Sequence, residues 1–253
     1  MLYYYKKMLY ALLADIHSNL AAFEAVLADI KAKGEMTAIW CLGDIVGYGP
    51  DPVECIQLLR QQPNACISGN HDRAAIGRLD TSDFNPAAGA AVRWTEQQLG
   101  KEEIEYLGSL PLSLQKDNFT LVHGSPREPV WEYLVSSKDA RDNLPHFQTS
   151  HCFVGHSHVP FVFECTQGDC HLRKMSEDSS LDLSEMGECR LIINPGGVGQ
   201  PRDGDPRASY IIYDSQAETI CHYRVEYDIQ ATQRKMLRYR LPESLSRRLS
   251  YGC

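Results

Sequence analysis

From Met8 to Asp72, short apolar runs alternate with amphipathic ones, and each apolar run stops at side chains able to bind a metal. Met8–Ala14 reads as a strand followed at once by Asp15 and His17. Asn19–Lys33 reads as a helix with Leu20, Phe23, Val26, Leu27 and Ile30 on one face, closed by Gly34. Thr37–Leu42 is a buried strand ending in Gly43-Asp44. Pro52–Gln61 is a helix with proline in its first turn, and Ala65–Ser68 is a strand ending in Gly69-Asn70-His71-Asp72. This β-α-β-α-β rhythm predicts a mainly parallel sheet with right-handed crossovers. Open sheets of that kind place their sites at the carboxyl ends of the strands.

Further along, Asp83–Gly100 and Lys101–Ser109 read as helices, and Phe119–Val122 as a strand ending in His123-Gly124. Ser137–His146 is helical, and Cys152–Val154 is a strand running into Gly155-His156-Ser157-His158. From Phe161 the texture changes to short alternating runs at Phe161–Cys165, Arg190–Asn194, Ser209–Asp214 and Thr219–Arg224, which predict antiparallel strands of a second sheet. The chain has 253 residues, 43% of them hydrophobic, and shows no linker, so one domain over 1–253 with a helical tail at 228–253 is the economical reading. Met1–Lys7 reads as an N-terminal extension, with Met8 as an alternative start. The apolar run after it is too short for a membrane span, and no membrane association is expected.

A net charge of −8 argues against gripping long DNA or RNA by its backbone. The basic tail residues Arg234, Lys235, Arg238, Arg240, Arg247 and Arg248 read as a solvated helix face. Nine scattered cysteines without a C-x-x-C pair suggest reduced, buried thiols in a cytoplasmic protein. Cys165 and Cys170 flank a turn, yet a disulfide there is not expected.

Five strand ends now carry metal-competent groups: Asp15/His17, Asp44, Asn70/His71, His123 and His156/His158. Glycines 43, 69, 124 and 155 beside four of them permit close backbone approach. On a strand, Asp15 and His17 would point the same way. A lone histidine is usually a satisfied core or surface residue, and His146, His151, His171 and His222 receive no role. Five such strand ends are not coincidence. Carboxylate, amide and imidazole without thiolate suit Mn²⁺ first, with Fe or Zn²⁺ as alternatives.

Asp-x-His, Gly-Asp, Gly-Asn-His-Asp, His-Gly and Gly-His-x-His, in this order, resemble the calcineurin-like metallophosphoesterase superfamily. GDIVGYGPDPVEC and NPGGVGQPRDGDPRASY are similar to its small bacterial branch of phosphodiesterases and diadenosine tetraphosphate hydrolases. The resemblance implies an α/β (α+β) fold, a four-layer αββα sandwich of two mixed β-sheets flanked by helices. It implies two divalent cations: Asp15, His17 and His158 on one, Asn70, His123 and His156 on the other, Asp44 bridging both. A hydroxide between the metals would attack phosphorus, His71 would protonate the leaving oxygen, and Asp72 would orient the His71 ring or cap a helix. The substrate would be a small phosphodiester or nucleotide, a dinucleoside polyphosphate among them. A non-catalytic scaffold or a nuclease are the alternatives. Many larger relatives carry an acid at the last position of Gly-Asp-x-x-Asp, where this chain has Gly47. Arg127 is the best-placed phosphate contact, with Arg73, Arg202 and Arg207 also candidates; the 196–199 glycine run reads as a turn.

Overall fold

Apolar runs buried on both faces show no alternation, and β1 (Leu9–Leu13) is such a run. Ala11 and Leu13 pack on one side of it, Leu12 on the other. The computed structural model, which describes residues 8–253, places this strand at the centre of a six-stranded sheet; the expected extension 1–7 lies outside the described residues. Strand β1 pairs in parallel with β2 (Ala38–Cys41), and β2 with β3 (Asn64–Cys66). Helices α1 (Leu20–Lys33) and α2 (Pro52–Arg60) make the crossovers. They bury Phe23, Val26, Ile30, Ile56 and Leu59 against the sheet's outer face, each contributing about 1.5–3 kcal/mol.

Three short helices follow: α3 (Asn70–Ala75), α4 (Pro86–Glu96) and α5 (Lys101–Ser109). The second sheet then begins with β4 (Ser113–Lys116) antiparallel to β5 (Phe119–Val122). After α6 (Ser137–Asn143) come β6 (His151–Phe153), β7 (Pro160–Thr166) and β8 (Asp169–Lys174). The chain crosses to the first sheet for β9 (Ser180–Asp182) and returns for β10 (Arg190–Pro195). It ends in the first sheet with β11 (Ala208–Asp214) and β12 (Thr219–Val225). The sheet orders are β3-β2-β1-β11-β12-β9 and β4-β5-β6-β10-β7-β8. Both are mixed. Leu12, Trp40, Phe119, Phe153, Leu191 and Ile211 fill the space between them, and Val122, Ala140, Cys152, Phe163 and Ile192 pack the second sheet's outer layer with α6. The result is the expected αββα sandwich.

Strand membership differs from the sequence expectation. Phe119–Val122 and Cys152–Val154 belong to the second sheet, and Ser209–Asp214 and Thr219–Arg224 to the first, with β11 antiparallel to β1. Strands β4, β8 and β9 carry too little apolar patterning to have been read. Helix α4 starts at Pro86, capped by Asn85, and stops at Glu96, inside the predicted 83–100. Cys165 and Cys170 correct the expectation of reduced thiols: the β7–β8 hairpin sets them directly opposite and they form a disulfide, while the other seven cysteines are free.

The C-terminal segment is two helices, α7 (Ile229–Arg238) and α8 (Glu243–Arg248). Met236, Leu241, Leu245 and Leu249 pack with Tyr48 and Ala91, which makes this segment a wall beside the site. No helix among the described residues is long and apolar enough to cross a membrane.

Candidate active site

Strand β1 ends at Leu13, so Asp15 and His17 do not meet by strand alternation. They meet because the chain turns left-handed: φ is positive at Asp15 (56°), His17 (48°), Asp44 (53°), His156 (64°) and His158 (59°). Asp and His tolerate that region better than most residues, at about 1–2 kcal/mol each. The backbone N–H groups of Asp15 and His17 are fixed on the carbonyls of Gly43 and Asp44, which ties the β1 loop to the β2 loop. Gly69 allows the β3 loop to close in, since a Cβ there would lie 2.0 Å from Asp44 Oδ1. Loops from both sheets thus converge on one buried point.

All seven expected metal ligands are brought together there. His17 Nδ1 pairs with the Val46 carbonyl (3.1 Å) and His158 Nδ1 with the Gln200 carbonyl (2.6 Å), so each Nδ1 carries the proton and each Nε2 a lone pair. These two Nε2 atoms face each other at 3.1 Å. Asp15 Oδ1 lies 3.4 Å from His158 Nε2 and 3.8 Å from His17 Nε2. Burial holds both imidazoles well below their ordinary pKa, so no proton bridges them. Two lone pairs and a carboxylate pointing at one another fit a cation.

The second group converges in the same way but differs in its protons. His123 Nδ1 donates to the Leu42 carbonyl (2.8 Å). Its Nε2 faces Asn70 Oδ1 (3.1 Å), His156 Nδ1 (3.2 Å) and Asp44 Oδ2 (3.3 Å). Burial would push His123 down, but without a metal the Asp44 charge outweighs it and the ring keeps a proton up to about 9. Asp44 Oδ2 also lies 3.6 Å from His17 Nε2, so it is the atom common to both groups. Buried Asp15 Oδ2 and Asp44 Oδ2 have no hydrogen-bond partner. Burial raises the Asp15 carboxyl to about 7, with the Asp44 charge adding to it. Buried carboxylate oxygens without hydrogen-bond partners, set among imidazoles, are what a pair of divalent cations would satisfy, the His123 proton leaving as the metal binds.

Residues 8–218 match the family model of the calcineurin-like phosphoesterase superfamily domain. The chain belongs to this superfamily. It is 40% identical over 251 residues to an uncharacterized protein of Methanocaldococcus jannaschii, covering 97% of this chain and 99% of that one. The structure is similar to that of a metallophosphoesterase from Sphaerobacter thermophilus, with a TM-score of 0.88 at 47% identity over 98% of this chain and 100% of that one. A symmetrical bis(5′-nucleosyl)-tetraphosphatase of Pectobacterium carotovorum is 33% identical over 101 residues, 34% of this chain and 36% of that one.

Around the cluster the residues that line the neighbouring cavity differ from the sequence expectation. A cavity of about 220 Å³ lies over the ligands, walled by Tyr48, His71, Phe84, Trp131, Tyr133 and Arg202. Arg127 is absent from it: its exposed guanidinium pairs with Glu132, which Ser125 and Asn143 also hold. That pairing instead anchors the loop that carries Trp131 and Tyr133. Arg73 is half-buried and does not line the cavity, and Arg207 pairs with Asp205 and Glu177. Arg202 does line it, donating to Tyr48 Oη (3.2 Å) and Gln200 Oε1 (3.0 Å) with no carboxylate partner among the described residues.

Asp72 does not orient the His71 ring. Its carboxylate accepts the backbone N–H groups of Asp44 (2.8 Å), Val46 (3.1 Å) and Gly69 (3.0 Å), so it shapes the β2 loop and caps α3. His71 itself lies between Tyr48 (4.3 Å) and Phe84 (4.9 Å), and burial pushes its imidazole down to about 4. Gly47 has φ +98°, and a Cβ there would meet His71 Nδ1 at 2.4 Å. Accordingly His71 Nδ1 is buried without a partner.

Proposed function

We propose that this chain is a two-metal hydrolase of small phosphodiesters or nucleotides. Asp15, His17 and His158 would hold one cation, Asn70, His123 and His156 the other, and Asp44 both. The observation that carries this reading is the convergence of two buried ligand clusters on one shared atom, Asp44 Oδ2, 3.6 Å from His17 Nε2 and 3.3 Å from His123 Nε2. When bound, two divalent cations polarise the phosphoryl group and lower the pKa of an attacking water. Mn²⁺ is the first candidate, on the mixed oxygen and imidazole donor set.

The protein's own residues supply orientation and charge. Arg202 offers an uncompensated guanidinium to a phosphoryl oxygen, and its hydrogen bonds to Tyr48 and Gln200 fix its direction. His71, on the cavity wall beside Asp44, donates a ring N–H to the leaving oxygen, and it transfers a proton only if the bound phosphoryl charge raises its imidazole from the value of about 4 that burial imposes. Phe84, Trp131 and Tyr133 narrow the entrance and keep bulk water from the reacting atoms. The partial match to a bis(5′-nucleosyl)-tetraphosphatase makes diadenosine tetraphosphate a substrate to include.

The test is hydrolysis of bis(4-nitrophenyl) phosphate, 4-nitrophenyl phosphate and diadenosine tetraphosphate by metal-stripped protein, with and without Mn²⁺. Turnover that requires Mn²⁺ and favours the diester or the dinucleotide is expected. Intact substrates with metal bound would contradict the reading.

A further inference from the structure

Beside the cavity over the metal ligands lies a second, of about 380 Å³, and Tyr133 is a wall of both. Ser157, between His156 and His158, lines the second cavity while its two neighbours line the first. The ligand loop therefore separates two chambers by the width of a single chain. The second is floored by the β7–β8 hairpin through Phe161, Phe163 and Leu172. Its rim is apolar and open to water: Tyr133, Val135 and Leu172 are 46%, 66% and 49% exposed. An apolar patch of this kind, next to a polar reaction site and sharing a wall with it, marks a ligand-binding surface.

Resting on the phosphoesterase reading above, we infer that the second cavity binds the retained arm of a phosphodiester, a flat aromatic arm of the kind a nucleoside provides. A monoester has a single arm, and that arm must depart past His71, which lines only the first cavity. A diester has a second arm on the same phosphorus, and Tyr133, the wall common to both cavities, is where that arm would pass from the first to the second. The Tyr133 ring is stacked on His156, centroids 3.9 Å apart and planes at 23°. One face is thus fixed, and the half-exposed ring, a wall of the second cavity, offers a platform for a second ring. Lys174 at the rim adds a polar contact within reach of a ring edge or sugar.

The test uses the Mn²⁺-loaded protein and two esters with the same leaving group, thymidine 5′-(4-nitrophenyl phosphate) and methyl 4-nitrophenyl phosphate. The thymidine arm is expected to raise kcat/KM about tenfold or more, chiefly through KM. Leu172→Glu and Val135→Glu, both at exposed positions, are expected to bring that ratio down toward one with the fold retained by circular dichroism. Equal use of the two esters, or a preference that neither substitution alters, overturns the subsite. So does a hexyl arm preferred over thymidine. If metal-loaded protein cleaves neither ester, the phosphoesterase reading fails instead. Calorimetry with thymidine 5′-monophosphate and inorganic phosphate then decides the subsite alone: tighter nucleotide binding that Leu172→Glu weakens supports it, and equal binding overturns it.

Discussion

At the scale of single residues, identity alone marked the candidate metal ligands that the fold brings together, because few structural roles call for Asp, Asn and His at successive strand ends beside glycine. Their geometry was less legible. Asp15, His17, Asp44, His156 and His158 are aligned by left-handed backbone, which the strand-alternation argument did not foresee. Arg127 was expected to touch phosphate and Asp72 to orient the His71 ring or cap a helix; both are anchors, Asp72 through the cap. For Arg127 the signal was present five residues on, in Glu132, which a count of local counter-charges would have caught. Tyr48, Trp131 and Tyr133 have no spacing pattern and were found only in the fold. His71 carries a prediction at this scale. His71→Ala should retain bound metal and lose about 100-fold or more in kcat, most for poor leaving groups. Wild-type turnover of an unactivated ester by that variant would remove His71 from the reaction.

At the scale of elements, β6 shows how one strand serves stability and site together. Its exit carries His156 and His158, and its first residue, His151, is a buried histidine remote from the ligands, packed on Phe119 (5.3 Å). Burial, with the Arg190 guanidinium assisting, lowers the His151 imidazole to about 4 from its usual 6.5. The unfolded chain therefore binds a proton near pH 6.5 that the folded chain refuses until about pH 4. The stability from this group is full above pH 6.5 and is lost as pH falls through 6.5 toward 4, on the order of 1–2 kcal/mol after screening. His151→Phe keeps a ring against Phe119 and cannot charge. Urea unfolding of the two proteins between pH 7 and 4 should show a shallower loss in the variant, and parallel curves would contradict this account. Element positions were largely readable: α5 falls on the predicted residues, and β1 and α1 lie within a residue or two. Edge strands β4, β8 and β9 were not, since edges need no continuous apolar face.

At the scale of the whole molecule, the sequence announced two sheets but not which strand joins which. Runs such as Leu9–Leu13 and Leu191–Ile193 are buried on both faces, so nothing in their composition names the neighbour. The partition matters for function. Because β1–β3 lie in one sheet and β5 and β6 in the other, the ligands close over the seam between sheets, and the site forms only when the sandwich is complete. That places the central claim in the metal itself: seven side chains, with Asp44 shared, holding two divalent cations. Its most direct test is the Mn²⁺ content of metal-stripped and reloaded protein, measured by plasma mass spectrometry beside Asp44→Asn. Two ions per wild-type chain, with occupancy and activity falling together in the variant, are predicted. One ion or none in the wild type, or two ions undiminished in Asp44→Asn, would contradict the shared centre.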